Sequence, residues 1–403
     1  MSKFLNFILG LSLLSFSIFA GLVLHNSTGF VTRDNHFSLL AQSFLKNDLF
    51  LDPQKLPSGD YADYMGKQYL YFGLAPSIIL LPFVYTFGDN FNQFFLSVFS
   101  LILIFISSFL IARRFINKVD SLLLACFFNF GTVIYFVGIV FISSFLAQVL
   151  ATAFLMLALL EFYTKRRWLI IGILVALGGL TRFTLYGSLF FFAAWILLRR
   201  NKIQKNLLLL IIPVVVSMIF FGAYNLRRFH SVFDSGYSHQ TGLGLYPMSA
   251  NVTRGFLSLS HLSANSYLLL LKSPEPIVDE GGGFVLKFPY IKADGWGLAI
   301  WFTSPLFLYL IRLKVTKITI LSLITVFILL APSLFYFGLG FVQFGYRYST
   351  DFLPFLFLCL LPIFKGGLPK FAKFLITIGI LFNGFYMLSI WDKYPLFELL
   401  GFK

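Results

Sequence analysis

Charge is scarce in this sequence. Only 12% of its 403 residues are Asp, Glu, Lys or Arg and 58% are hydrophobic, whereas a soluble domain carries about a quarter charged residues. That composition excludes an ordinary soluble protein. Cysteine is nearly absent as well. Cys126 and Cys359 both lie inside apolar runs, where neither a disulfide framework nor a thiolate metal site is plausible. There is no Asp-x-Asp pair and no His-x-x-x-His, and Asp48, Asp52, Asp60 and Asp63 lack the spacing of a calcium loop. No metal site emerges and no cofactor is expected. Ionisable residues are also missing from the middle of the long apolar runs, Arg182 at the end of one being the nearest exception. An ion-coupled pump holds its ion at the membrane midplane, so this absence counts against one.

What is present is length in apolar runs. A helix needs about 20 such residues to cross the hydrocarbon core, and runs fall at 4–24, 91–112, 121–138, 144–162, 168–181, 183–198, 206–225, 296–311, 318–338, 351–364 and 374–391. The first is longer than the core of a signal peptide and is expected to stay as an anchor. The expected fold is an all-α polytopic membrane protein of about eleven transmembrane helices, forming one multi-pass domain over 1–403. Two of the divisions follow from charge. Residues 121–160 and 168–198 are each nearly continuous and each basic at both ends, so each must cross twice if basic loops stay inside. The arms of the second hairpin are short.

With the N-terminus inside, the inner loops hold 17 of the 31 basic residues and two of the 16 acids, Asp120 and Glu161. The outer segments are then neutral, and the whole excess of +15 lies inside. The basic balance is thus membrane orientation, and nothing in it suggests DNA or RNA. Two large outer segments remain, 25–90 and 226–295, with a short one at 339–350.

The first outer segment carries the strongest local pattern. After Asp34, residues Phe37, Leu40, Ala41, Phe44 and Leu45 fall on one face of a juxtamembrane amphipathic helix. Asp34 is placed to cap that helix and equally to serve as a general base at the membrane boundary. His36 falls on the polar face. The stretch 66–88 is short, is broken by Pro76 and Pro82 and lacks basic flanks, so a re-entrant or interfacial segment is expected. Further along, GYRYSTD places Arg347 between Tyr346 and Tyr348 at the mouth of a span. There the arginine either snorkels or captures a phosphate in its planar fork. Arg182 is expected at a hairpin tip on the same side.

Taken in order, these features resemble the GT-C superfamily of membrane glycosyltransferases. They are a first span, an outer acid heading a juxtamembrane helix, a Tyr-rich strip ending in a Pro-containing segment, and a span closed by Arg113 and Arg114. The protein O-mannosyltransferases and the aminoarabinose transferases of lipid A are the nearest branches. GGLTRFTL at 178–185, YNLRRFHSVFDSGY at 224–237, FTSPLFLYL at 302–310 and GYRYSTDFLP at 345–354 look similar too. The resemblance implies transfer of a sugar from a polyprenyl-phosphate carrier to a lipid, glycan or protein acceptor, with inversion, on the outer face of the plasma (inner) membrane. It makes Asp34 the base, and it suggests Arg347 and Arg182 for the donor phosphate, with His36, Asp63, Tyr69, Tyr71, Tyr346 and Tyr348 as candidate substrate contacts. YFGLAP at 71–76 departs from those branches, which carry an acidic or basic residue before a Pro-Pro pair. A lipid-linked sugar flippase, or a surface polysaccharide polymerase or ligase, remains the alternative.

Overall fold

The computed structural model describes residues 34–56, 59–88, 91–199, 202–244, 248–278, 283–340 and 343–390, with Phe7, Gly10 and Ser12 as isolated positions. The expected first span therefore lies essentially outside the described residues, as does the stretch joining it to Asp34.

Helix α1, His36–Leu45, opens the described chain. A two-stranded antiparallel hairpin follows, β1 (Ala62–Tyr64) with β2 (Lys67–Tyr69). Next comes α2, Ala75–Phe87, with Pro82 inside it. Its 13 residues are too few to cross a bilayer, and it packs on α1. The long helices begin with α3, Phe95–Ala112. Then α4 (Lys118–Phe130) and α5 (Val133–Ile139) meet at a 55° bend. Gly131 and Thr132 cause the break: Thr132 adopts extended backbone and its hydroxyl caps α5 by accepting the Ile134 N–H at 3.2 Å. Helix α6, Ser143–Tyr163, is rich in Ala and Leu. Buried Ala147, Ala151 and Ala153 let its neighbours approach closely.

A tight pair follows. Helix α7 (Trp168–Thr181) runs into a 3-10 turn, Phe183–Ser188, and then α8 (Leu189–Arg199). The 27-residue α9, Ile203–Phe229, lies against α7, so close that a Cβ on Gly172 would collide with the backbone carbonyl of Leu210. The segment after α9 holds α10 (Met248–Val252), α11 (Leu262–Leu270) and the antiparallel pair β3 (Glu275–Val278) and β4 (Leu286–Lys292). Strand β5 (Trp296–Leu298) is followed by the four-residue α12 (Ile300–Thr303), a 3-10 segment (Pro305–Arg312) and α13 (Lys317–Phe335). Strand β6 (Gln343–Gly345) pairs parallel with β5. A 3-10 segment, Arg347–Asp351, then leads into α14 (Leu353–Leu360), and α15, Lys370–Ile390, closes the described chain.

The molecule is thus mostly helical, with three small sheets that an all-α reading did not foresee. Among the described residues, α3, α6, α9 and α13 are long and apolar enough to cross a membrane, and the bent α4–α5 pair makes five. Eleven full spans are not found there. At 296–311, Gly297 takes a positive φ of 88° in a strand and Ser304-Pro305 interrupts the chain, so no continuous helix forms. At 351–364 the helix is limited to eight residues by Pro362 and the turns around Gly366 and Gly367. The stretch 168–198 does form two short helices, as its sequence implied.

The connections that carry basic residues meet at one end of the helices. Lys373 pairs with Asp120 at 3.1 Å, Arg167 with Glu161 at 2.8 Å, and Phe115 packs on Tyr163 at 5.5 Å. The residues of interest lie at the other end.

Candidate functional site

Asp34 does not cap α1. Asn35 holds the cap position without a side-chain bond, and the Gln93 carboxamide oxygen accepts the Phe37 and Ser38 N–H groups instead, at 3.0 and 3.3 Å. The Asp34 carboxylate is therefore free for other partners. Its Oδ1 lies 2.8 Å from His36 Nδ1, and its Oδ2 accepts the Ser143 N–H at 3.3 Å, at the start of α6. Burial raises the Asp34 carboxyl above its usual range, with His36 opposing the rise and Asp60 adding to it. His36 was expected on a polar surface. It is fully buried instead, because both ring nitrogens find partners inside: Nδ1 also lies 3.0 Å from Ser143 Oγ, and Nε2 lies 2.9 Å from the Gly59 carbonyl. Burial alone would lower its pKa, yet the hydrogen bond to Asp34 and that residue's charge raise it.

A line of tyrosines leads from this pair toward the arginines. Asp60, held at φ 59°, accepts the Tyr71 hydroxyl at 2.8 Å. The Tyr71 ring lies 4.8 Å from Tyr237, Tyr237 lies 6.4 Å from Tyr336, and Tyr336 lies 6.2 Å from Tyr348. Tyr237 keeps 37% of its surface open, yet desolvation pushes its phenol up to about 12, with Arg182 and Arg347 opposing. Gly73 makes the line possible, since a Cβ there would run into the backbone of Leu180 and Thr181.

The two arginines differ. Arg182 caps α7 and grips Asp351 with both arms of its fork, Nε to Oδ1 at 2.8 Å and Nη2 to Oδ2 at 2.9 Å, while Thr184 adds a hydroxyl at 2.7 Å. Arg182 was expected at the donor phosphate; Asp351 engages its Nε and Nη2, supplying the counter-charge that a guanidinium so enclosed needs, and Nη1 lies outside that pair. Arg347 has no carboxylate partner among the described residues. Its guanidinium lies 5.0 Å over Phe145 and 4.8 Å over Tyr348, with Nε 3.4 Å from the Gly340 carbonyl. Stacking of this kind orients the fork without consuming it.

The remaining candidates divide. Tyr71 and Tyr348 belong to the tyrosine line. The Tyr348 hydroxyl already donates to the Gly338 carbonyl at 2.9 Å. Tyr346 is buried and turned toward Asn265 Oδ1 at 3.4 Å, so it does not flank Arg347 as expected. Tyr69 packs at 5.2 Å on Phe229, beside the buried Arg228. Asp63 is exposed on β1, opposite Gln68. Sequence reasoning did not single out Ser143, Gln93, Tyr237, Tyr336 or Asp351 as site residues, although Tyr237 and Asp351 lie within the stretches 224–237 and 345–354. No group of three His, Cys, Asp or Glu side chains able to hold a metal occurs among the described residues.

Fold and site together define a helical, membrane-type protein with a carboxylate–imidazole pair and a stacked arginine joined by tyrosines at one end of its helices. No family model matches the chain, and no curated protein does. Among solved structures it is similar to the oligosaccharyltransferase of Archaeoglobus fulgidus in its apo form, with a TM-score of 0.48 and 15% identity over 95% of this chain and 55% of that one. The chain thus spans about half the length of that protein.

Proposed function

We propose that this protein is a membrane glycosyltransferase of the GT-C kind, moving a sugar from a polyprenyl-phosphate-linked donor to an acceptor hydroxyl. The observation that carries the reading is the pairing, at the helix ends remote from the basic connections, of a partly open carboxylate with an arginine that has no acid partner among the described residues. Asp34 keeps 18% of its side chain accessible and sits at the head of α6. Phe145, two residues further along the same helix, lies under Arg347.

The chemistry proposed is a single displacement. Asp34 takes the proton of the acceptor hydroxyl, the oxygen's electron pair forms the bond to the anomeric carbon, and the bond to the carrier phosphate breaks with its electrons on the phosphate oxygen. Inversion follows from attack opposite the leaving group. Arg347 stabilises the charge that develops on the phosphate, with Arg182 Nη1, which lies outside the Asp351 pair, in support. The lipid chain would lie along the apolar helices. The positive-inside charge split supports an N-terminus in the cytoplasm and this site on the outer face of the inner membrane. The acceptor is a lipid, glycan or protein of the cell envelope.

The test is transfer from a polyprenyl-phosphate sugar by the purified chain, compared with Asp34→Asn. Loss of transfer in a folded variant supports the reading. A flippase needs no base, so unaltered activity in Asp34→Asn, or translocation without transfer, would overturn it.

A further inference from the structure

The hydrogen-bond network around Asp34 is determined closely enough to count protons. The Gln93 oxygen is committed to two backbone N–H groups, so its amino group points the other way and donates to the Asp34 carbonyl and, at 2.9 Å, to Ser143 Oγ. Ser143 then gives its one hydroxyl hydrogen to the same Asp34 carbonyl at 3.0 Å. His36 Nδ1 is left facing Ser143 Oγ at 3.0 Å, whose hydrogen is already given away, and Asp34 Oδ1 at 2.8 Å, so one hydrogen lies between Nδ1 and the carboxyl, and an ionised Asp34 puts it on Nδ1. Nε2 faces the Gly59 carbonyl at 2.9 Å, which can only accept, and must carry one too. Turning the Ser143 hydrogen onto Nδ1 would leave a carboxylate oxygen 2.8 Å from a ring lone pair.

We infer that His36 is a positioning residue held as an imidazolium, which keeps the buried Asp34 ionised and leaves Oδ2 as the oxygen that receives the acceptor's proton. The inference rests on the transferase reading for its catalytic consequence, though not for the protonation itself. It explains how a carboxylate this enclosed can act as a base near neutral pH. An isolated acid here would hold its own proton, because burial disfavours the charged form. The imidazolium offsets that without occupying Oδ2, whose one partner among the described residues is the Ser143 N–H at 3.3 Å. Among the described residues, Asp60 is the other charged group acting on the pair, and it favours protonation of both members. Around them, α6 contributes the Ser143 hydroxyl and the segment before α3 contributes the Gln93 amide, neither of which titrates.

Two measurements test this. In the full chain in detergent, with histidine labelled at the ring nitrogens, one of the five histidines should keep both nitrogens protonated at pH 7.5, and Asp34→Asn should return it to a single N–H. A neutral ring at that pH would overturn the inference, whatever becomes of the transferase reading. Second, His36→Asn should move the acid limb of the pH–rate profile upward, so that activity at neutral pH falls about tenfold for every pH unit the limb moves and recovers as pH rises. A loss equal at every pH would reduce His36 to a structural role and overturn the proposal. If the ring is doubly protonated yet Asp34→Asn transfers normally, the pair stands and the transferase reading fails.

Discussion

Arg182 and Asp351 stand 169 residues apart in the chain and are joined by two parallel hydrogen bonds of 2.8 and 2.9 Å, with the carboxylate 3% and the arginine 17% exposed. They tie the end of α7 to the turn that carries Arg347. Removing one member leaves the other charge enclosed without a partner, which costs about 3 to 5 kcal/mol. Asp351→Leu and Arg182→Met are each expected to lower the melting temperature markedly. The double substitution Arg182→Met, Asp351→Leu should be less harmful than the singles predict together. Thermal unfolding in detergent of the three variants decides it, and strict additivity would show that the pair does not act as a unit.

Asp34→Asn keeps the size and one acceptor oxygen of the side chain but cannot take a proton. General-base contributions run about 10² to 10⁴ fold, so transfer should fall by that factor while folding is preserved. Initial rates with a polyprenyl-phosphate sugar measure it.

Arg347→Lys keeps the charge and loses the planar fork and its stacking on Phe145. Donor affinity should drop by about 1.5 to 3 kcal/mol, the scale of a hydrogen bond to a charged group. Binding of a labelled donor lipid reads this out, and an unchanged affinity would remove Arg347 from the site. Arg182→Lys, in contrast, should act mainly on stability, because two arms of its fork hold Asp351 and only Nη1 lies outside that pair.

Gly73→Ala places a methyl group against the carbonyls of Leu180 and Thr181. Overpacking of this kind costs about 1 to 3 kcal/mol. The segment carrying Tyr71, which follows β2, should move outward, so both melting temperature and transfer rate are expected to fall.

The Asp34–His36 pair also sets a direction for stability against pH. Both pKa values are raised by folding, from ordinary values of 3.8 and 6.5, so the folded chain binds more protons than the unfolded one and the pair's contribution falls as pH rises. For Asp34 the loss begins above 3.8, and for His36 it begins above 6.5 and is complete once pH passes the raised folded value. Melting temperatures across this window should decline more steeply in the wild type than in the double variant Asp34→Asn, His36→Asn.

The periodic and compositional features were legible from the sequence alone. Spans 91–112, 144–162 and 318–338 correspond to α3, α6 and α13 to within a few residues because twenty apolar residues in a row leave few alternatives to a helix. The short arms around Arg182 were legible for the same reason. The broken segment at 296–311 was not, since its interruption depends on a strand partner, β6, that lies 47 residues away and pairs Leu298 with Gly345. His36 was misplaced because helical periodicity assigns a face, whereas its burial is set by Ser143, 107 residues distant. The pairing of Arg182 with Asp351 was hidden likewise: both residues were visible, and their 169-residue separation carried no signal.

The five-residue turn Arg347–Asp351 holds at one end a guanidinium proposed to meet a ligand and at the other a carboxylate that must never do so. A 3-10 turn has little slack, and Thr350 bonds back to the Arg347 carbonyl at 2.9 Å. Occupancy at the first residue is therefore mechanically continuous with the anchor at the last. Substitutions in this turn should shift ligand hold and heat resistance together, so the two properties are not independently tunable here. Any attempt to engineer one will have to be scored on both.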